Sequence, residues 1–193
     1  MQHENWLSVD EATDVLGSLR HCLRCRDIVQ DDKLAWKWFM LALHSALQGA
    51  CVCHLTTTAQ PVGPLTKRNT EEWLAWFDCK NTGPAPKVYL LALPDLLKKV
   101  RKENSAGDGS NSFHVRISDQ DLAWLTSFHE ILRNQFVHFE PMGWSVELSG
   151  LPGLSRLVAR IIGDISKCGW GFRHLNEEQK ADMVYLLTAL SDW

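Results

Sequence analysis

Between Lys33 and Cys53 the chain carries a helical run whose apolar residues are not confined to one face. Trp36, Phe39, Met40, Leu43 and Leu47 recur at the spacing of a helix stripe, while Trp38, Leu41 and Ala42 place apolar groups on other sides. A helix that is apolar nearly all round must be covered nearly all round, so this one belongs at the centre of the fold. The stretch from Leu34 to Leu55 also contains Lys37, His44 and Gln48. Those side chains are costly in hydrocarbon, which favours a buried helix over a membrane span.

The punctuation around this run is helical as well. Ser8-Val9-Asp10-Glu11 has the form of a capping box and opens a helix over 9–29, with Val15, Leu16, Leu19, Leu23 and Ile28 on its apolar side. The segment from Thr56 to Asn69 reads as a loop broken at Pro61-Val62-Gly63-Pro64. Thr70 then caps a short helix through Trp73, Trp76 and Phe77. A further helix is expected from Lys87 to Glu103, bent at Pro94. Asn104 to Ser112 is a polar loop, and Phe113–Ile117 alternates enough for one short strand. Ser118 caps a long helix to Phe139, Gly150-Leu151-Pro152 leads into a helix through Ile165, and Asn176 caps a last one to Leu190. No repeat period is visible. The helices on either side of the polar loop need each other for burial, so 1–193 is one all-α domain.

The length of 193 residues suffices for one real core. A net charge of -3 argues against a broad, sequence-independent nucleic-acid surface, which is usually basic. Any RNA contact is therefore expected to be local, with Lys98, Lys99, Arg101 and Lys102, or Arg156 and Arg160, as the basic groups at hand. The first residues lack the basic and apolar regions of a signal peptide, so the expected setting is soluble and cytoplasmic, with no membrane. Six cysteines are then thiols. Cys22/Cys25 and Cys51/Cys53/His54 have spacings that invite zinc but fall in helical patterns, and they are read as small buried residues with no metal. Tryptophans 36, 38, 73, 76 and 124 are read as core, whereas Trp144 and Trp193 lie outside the stripes. Phosphate-loop lysine motifs, the dinucleotide glycine fingerprint, the serine elbow and the zinc-protease helix are all missing.

One helix carries suggestive chemistry. At about 100° per residue, Leu125, Phe128, Leu132, Phe136 and Phe139 form its core stripe. Glu130, Asn134 and His138 follow one another at i, i+4 and i+8 on the opposite side, with Arg133 between the two lines and one turn from Glu130. A histidine titrating near neutrality can move a proton to or from a ribose oxygen. A guanidinium can hold a phosphate while charge builds on it. Asparagine can position either group, Glu130 can orient Arg133, and no metal or cofactor is required. His44, on the central helix, is read as a satisfied core histidine, or as a contributor to a buried site if its helix abuts 133–138.

Leu132-Arg133-Asn134-Gln135-Phe136-Val137-His138-Phe139 resembles the R-x4-6-H signature of HEPN (higher eukaryote and prokaryote nucleotide-binding) domains. The specific match covers about eight residues, and the late position of the helix extends it weakly over the rest. The resemblance implies an up-and-down helical bundle with additional short helices and loops. It also implies a homodimer and, in many members, metal-independent RNA cleavage by proteins of toxin or defence type. Arg133, Asn134 and His138 would then form the catalytic set, with Glu130 added from helical geometry. A non-catalytic member would bind a nucleotide or a protein partner, such as a cognate antitoxin or a nucleotidyltransferase. A helical protein of unrelated function is the remaining alternative.

Overall fold

The computed structural model describes residues 6–56, 62–79, 83–107, 114–138, 143–168 and 170–193. It is all-helical, and among the described residues there is no strand beyond the isolated antiparallel bridge between Leu65 and Leu90. The helices are α1 (Glu11–Ile28), α2 (Ala35–Leu55), α3 (Lys67–Asp78), α4 (Leu93–Val100), α5 (Asp119–Ser127), a π-helical turn (Phe128–Arg133), α6 (Asn134–Val137), α7 (Leu151–Lys167) and α8 (Glu177–Ser191).

The central position expected for 33–53 is where α2 lies. It packs against α1, α4, α7 and the π turn, and α8 closes the bundle against α7 and α1. Phe39, Leu43, Ala46, Leu47, Ala50 and Cys51 are wholly buried. The helix is long and apolar enough to cross a membrane by composition, and here 67% of that apolar window is buried inside the protein. Close approach of α1 depends on Gly49, where a Cβ would stand 2.8 Å from Val15 Cγ2. Trp193 returns to α2 and stacks on Trp36 with ring centroids 5.1 Å apart.

Several boundaries differ from the sequence expectation. The cap of α1 is Asp10, which accepts the Thr13 N–H at 2.7 Å while Thr13 Oγ1 accepts the Asp10 N–H; the Ser8 box is not used. Helix α3 starts four residues early because Thr66, not Thr70, takes the cap. The expected 87–103 helix is present only as Leu93–Val100. Pro94 sits in its first turn, where a missing N–H costs nothing, so it starts the helix instead of bending it. Residues 85–92 are instead held extended. Thr66 N–H donates to Tyr89 O, Leu91 N–H donates to Pro64 O, and the buried Asn69 side chain grips Lys87 O and the Tyr89 N–H. The expected strand at 113–117 is an irregular segment over 114–117 that joins no ladder, and Phe113 lies outside the described residues.

Five of the six cysteines, at 22, 25, 51, 53 and 168, are buried thiols, and Cys79 is exposed. Burial pushes the Cys51 thiol up to about 12, as expected for a thiol behaving as an apolar group. The tryptophan expectation holds in part: Trp36, Trp73 and Trp76 are partly covered, whereas Trp38 and Trp124 are exposed. The Trp124 ring nonetheless lies against the start of α7, where a Cβ at Gly153 would stand 3.0 Å from it.

Candidate functional site

The expected single α-helix from Ser118 to Phe139 is interrupted. Ser118 caps it as read, through a reciprocal box with Asp121. After nine residues the backbone widens into the π turn, and the final short α-helix ends at Val137; Phe139 lies outside the described residues. A π turn holds one extra residue, so everything beyond it is set back by about 100° relative to a continuous α-helix. The stripe and the polar line expected for an unbroken helix therefore part company at Phe128. Leu125 and Phe128 are buried as expected, while Leu132 and Phe136 reach only the edge of the core.

This rotation decides where the candidate residues go. Arg133 and Val137 face a cleft of about 390 Å³ between α1, α2 and the π turn. The opposite wall carries Glu11 and Asp14 from α1, and the floor carries His44, Ser45 and Gln48 from α2. Leu90 joins from the clamped 85–92 segment. Arg133 donates to Asn134 Oδ1 at 2.9 Å, so these two of the sequence candidates are joined directly. Glu130 makes no ion pair with Arg133 and faces solvent. His138 is exposed just past the last helical turn, closed by its own N–H donating to Asn134 O, and it does not line the cleft.

Behind the cleft lining, the π turn brings His129 against His44. His44 Nε2 and His129 Nδ1 share a 2.8 Å hydrogen bond, with the rings stacked 5.1 Å apart. His44 is only 5% exposed and meets the Phe128 ring edge-on. Burial, then the neighbouring His129, then the Arg133 charge push the His44 imidazole down to about 3. Burial and Arg133 lower His129 too, against a smaller opposing effect of Glu130. Both rings are thus neutral at neutral pH, and their shared bond is one imidazole donating to the other. His44 is the core histidine expected, satisfied through His129, and its helix packs on the π turn that carries Arg133.

Most cations of the alternative basic patches have partners of their own. Lys98 pairs with Asp95, Lys99 donates to Gly63 O and Arg101 pairs with Asp119. Arg160 is divided between Asp121 and Asp164, and Arg156 donates to Trp193 O. No cluster of three metal-ligating side chains occurs among the described residues. The cleft thus combines one permanent cation, one buried histidine backed by a second that lies outside the lining, and two carboxylates. That set can bind an anion at one end and hydrogen-bond donors at the other. Comparison with protein-family models, with curated proteins and with solved structures gives no match to this chain.

Proposed function

We propose that this chain is a HEPN-like protein acting on RNA as a metal-independent endoribonuclease of toxin or defence type, cytoplasmic and acting as a homodimer. The observation that carries the reading is that Arg133, bonded to Asn134, lines a walled cleft instead of an outward face. Arg133 would hold the phosphate while the 2′-hydroxyl attacks phosphorus and the bond to the 5′ oxygen breaks, leaving a 2′,3′-cyclic phosphate and a 5′-hydroxyl. Asn134 would fix the guanidinium, and His138, exposed one residue beyond Val137 and off the cleft lining, would exchange protons with the reacting oxygens of a substrate that extends past the cleft. Glu130, pointing to solvent, drops to a peripheral charge.

The test is degradation of single-stranded and structured RNAs in EDTA by wild type, Arg133→Ala, Asn134→Ala and His138→Ala. Loss of one charge-stabilising or proton-transferring group should lower the rate by about 100-fold or more. Equal rates in all four proteins, or intact RNA with wild type, would sink the reading.

One observation favours a non-catalytic second reading. Leu34, Trp38, Phe136, Trp144 and Val146 line an apolar groove, with Trp38 52% exposed and Phe136 against Trp144 at 4.6 Å. Such a surface suits a protein partner, an antitoxin or a nucleotidyltransferase in this reading. Wild-type protein would then leave RNA intact and bind that partner with or without Arg133.

A further inference from the structure

The cleft between α1, α2 and the π turn is lined by charges of both signs that do not meet. Arg133 is its one cation among the described residues, and Glu11 and Asp14 are its carboxylates. None of the three makes an ion pair among the described residues, although cations and carboxylates pair at many other places on the surface. Opposite charges held apart across one cleft leave the bridging of them to a ligand.

The floor of the cleft fixes their order. Asp14 lies at Ser45, with Oδ2 3.5 Å from the hydroxyl. Glu11, one turn earlier on α1, lies at Gly49, where a Cβ would stand 3.7 Å from the Glu11 carbonyl oxygen. Arg133 enters at the other end, near enough to His44 for its charge to act on that ring. Along α2 the sequence of charges is therefore cation at 44, carboxylate at 45 and carboxylate at 49. From His44 to Gly49 the helix axis advances by about 7–8 Å.

We propose that this cleft binds a free basic α-amino acid, lysine or arginine, with its carboxylate on Arg133, its α-ammonium on Asp14 and its side-chain cation on Glu11. The inference goes beyond the ribonuclease reading and does not rest on it. Such a ligand carries three charges in the same order and of opposite sign. Its carboxylate and α-ammonium stand on one carbon, matching Arg133 and Asp14 at neighbouring positions of the floor. Its stem carries the second cation, in lysine six bonds from the carboxyl carbon, over the step from His44 to Gly49. Leu41, Val52, Leu90 and Val137 supply apolar surface for the methylenes. A polar atom also waits at the carboxylate end. His44 is only 5% exposed, its Nε2 is bonded to His129, and its Nδ1 has no partner among the described residues. When Nε2 accepts from His129, the Nδ1–H is left to donate to the ligand's carboxylate. At about 390 Å³ the space is near the lower end of the roughly 300–1,000 Å³ typical of small-molecule sites, which suits a ligand of this size.

The experiment is calorimetric titration of the whole chain at neutral pH and low salt with L-lysine and L-arginine. Three analogues each remove one charge: L-norleucine the side-chain cation, 1,5-diaminopentane the carboxylate, and Nα-acetyl-lysine the α-ammonium. Both amino acids should bind saturably, with a Kd between about 10 μM and 1 mM for charges that stay partly hydrated. Each analogue should bind about tenfold weaker or worse. The variants separate the two ends. Glu11→Gln, at an exposed position that leaves the Asp10 cap intact, should lose the preference for lysine over norleucine and keep that over diaminopentane. Arg133→Gln should do the opposite, whereas a merely loosened cleft would lose both preferences together. If Arg133→Gln does not fold, Glu11→Gln decides. Absence of saturable binding by either amino acid, an analogue that matches lysine on wild type, or preferences unchanged in Glu11→Gln overturns the proposal. Nα-acetyl-lysine binding as tightly as lysine does so in favour of a peptide's carboxyl end. RNA cleavage is no part of the readout, so failure here and failure of the ribonuclease reading are seen separately.

Discussion

At the scale of the residue, the start of α1 shows how a correct signal can point to the wrong atom. Ser8 and Asp10 are both cap-forming types, and Ser8 has a glutamate three residues on. The structure chooses Asp10 because Thr13 returns the bond, and the carboxylate sits at the positive end of the helix. Asp10→Ala should therefore lower stability by about 1 kcal/mol in urea denaturation, while Ser8→Ala leaves it unchanged. The reverse order would restore the cap read from sequence. The same scale explains His129. A histidine on a polar helix face names no partner in one dimension, and the bond to His44 spans 85 residues.

At the scale of the element, α1 and α2 pose opposite glycine problems. In α1, a methyl group added at Gly17 would have nothing within 4 Å, whereas one added at Gly49 in α2 would be driven into Val15 at 2.8 Å. Gly17→Ala should stabilise by about 0.5–1 kcal/mol through helix propensity and a less free unfolded chain. Gly49→Ala should destabilise by about 1–2 kcal/mol, since overpacking outweighs the same propensity gain. Thermal midpoints moving in the same direction for both would contradict this packing. The element with most bearing on function is the π turn. Its sequence, Phe128 to Arg133, holds no glycine or proline to announce it. The widening turns Arg133 into the cleft and leaves His138 outside it.

At the scale of the whole molecule, the buried histidine pair makes stability depend on pH. The folded state holds His44 near 3, against about 6.5 for the free side chain. A group whose folded value is lowered binds more protons when unfolded, so the stabilising difference is complete above about pH 6.5 and is lost on acidification towards pH 3. One such imidazole costs about 2 kcal/mol at pH 5 relative to neutrality. Denaturation midpoints should fall between pH 7.5 and 5 in wild type, and fall less in His44→Gln. A wild-type midpoint flat over that range would mean that the pair is not buried neutral.

What the linear chain settled by itself was the helical class, the central place of α2, the caps at Ser118 and Asn176, and the burial of the paired cysteines. These follow from side-chain periodicity and from groups a few residues apart, where the peptide geometry is the same in any fold. Arg133 and Asn134 were legible too, as neighbours in one string. Tertiary structure alone decided that Arg133 faces a cleft, that His138 stands off it, and that His44 and His129 meet beside the guanidinium. The physical reason is that burial and charge act through space: one extra residue in a helical turn rotates a site in a way that no local pattern records.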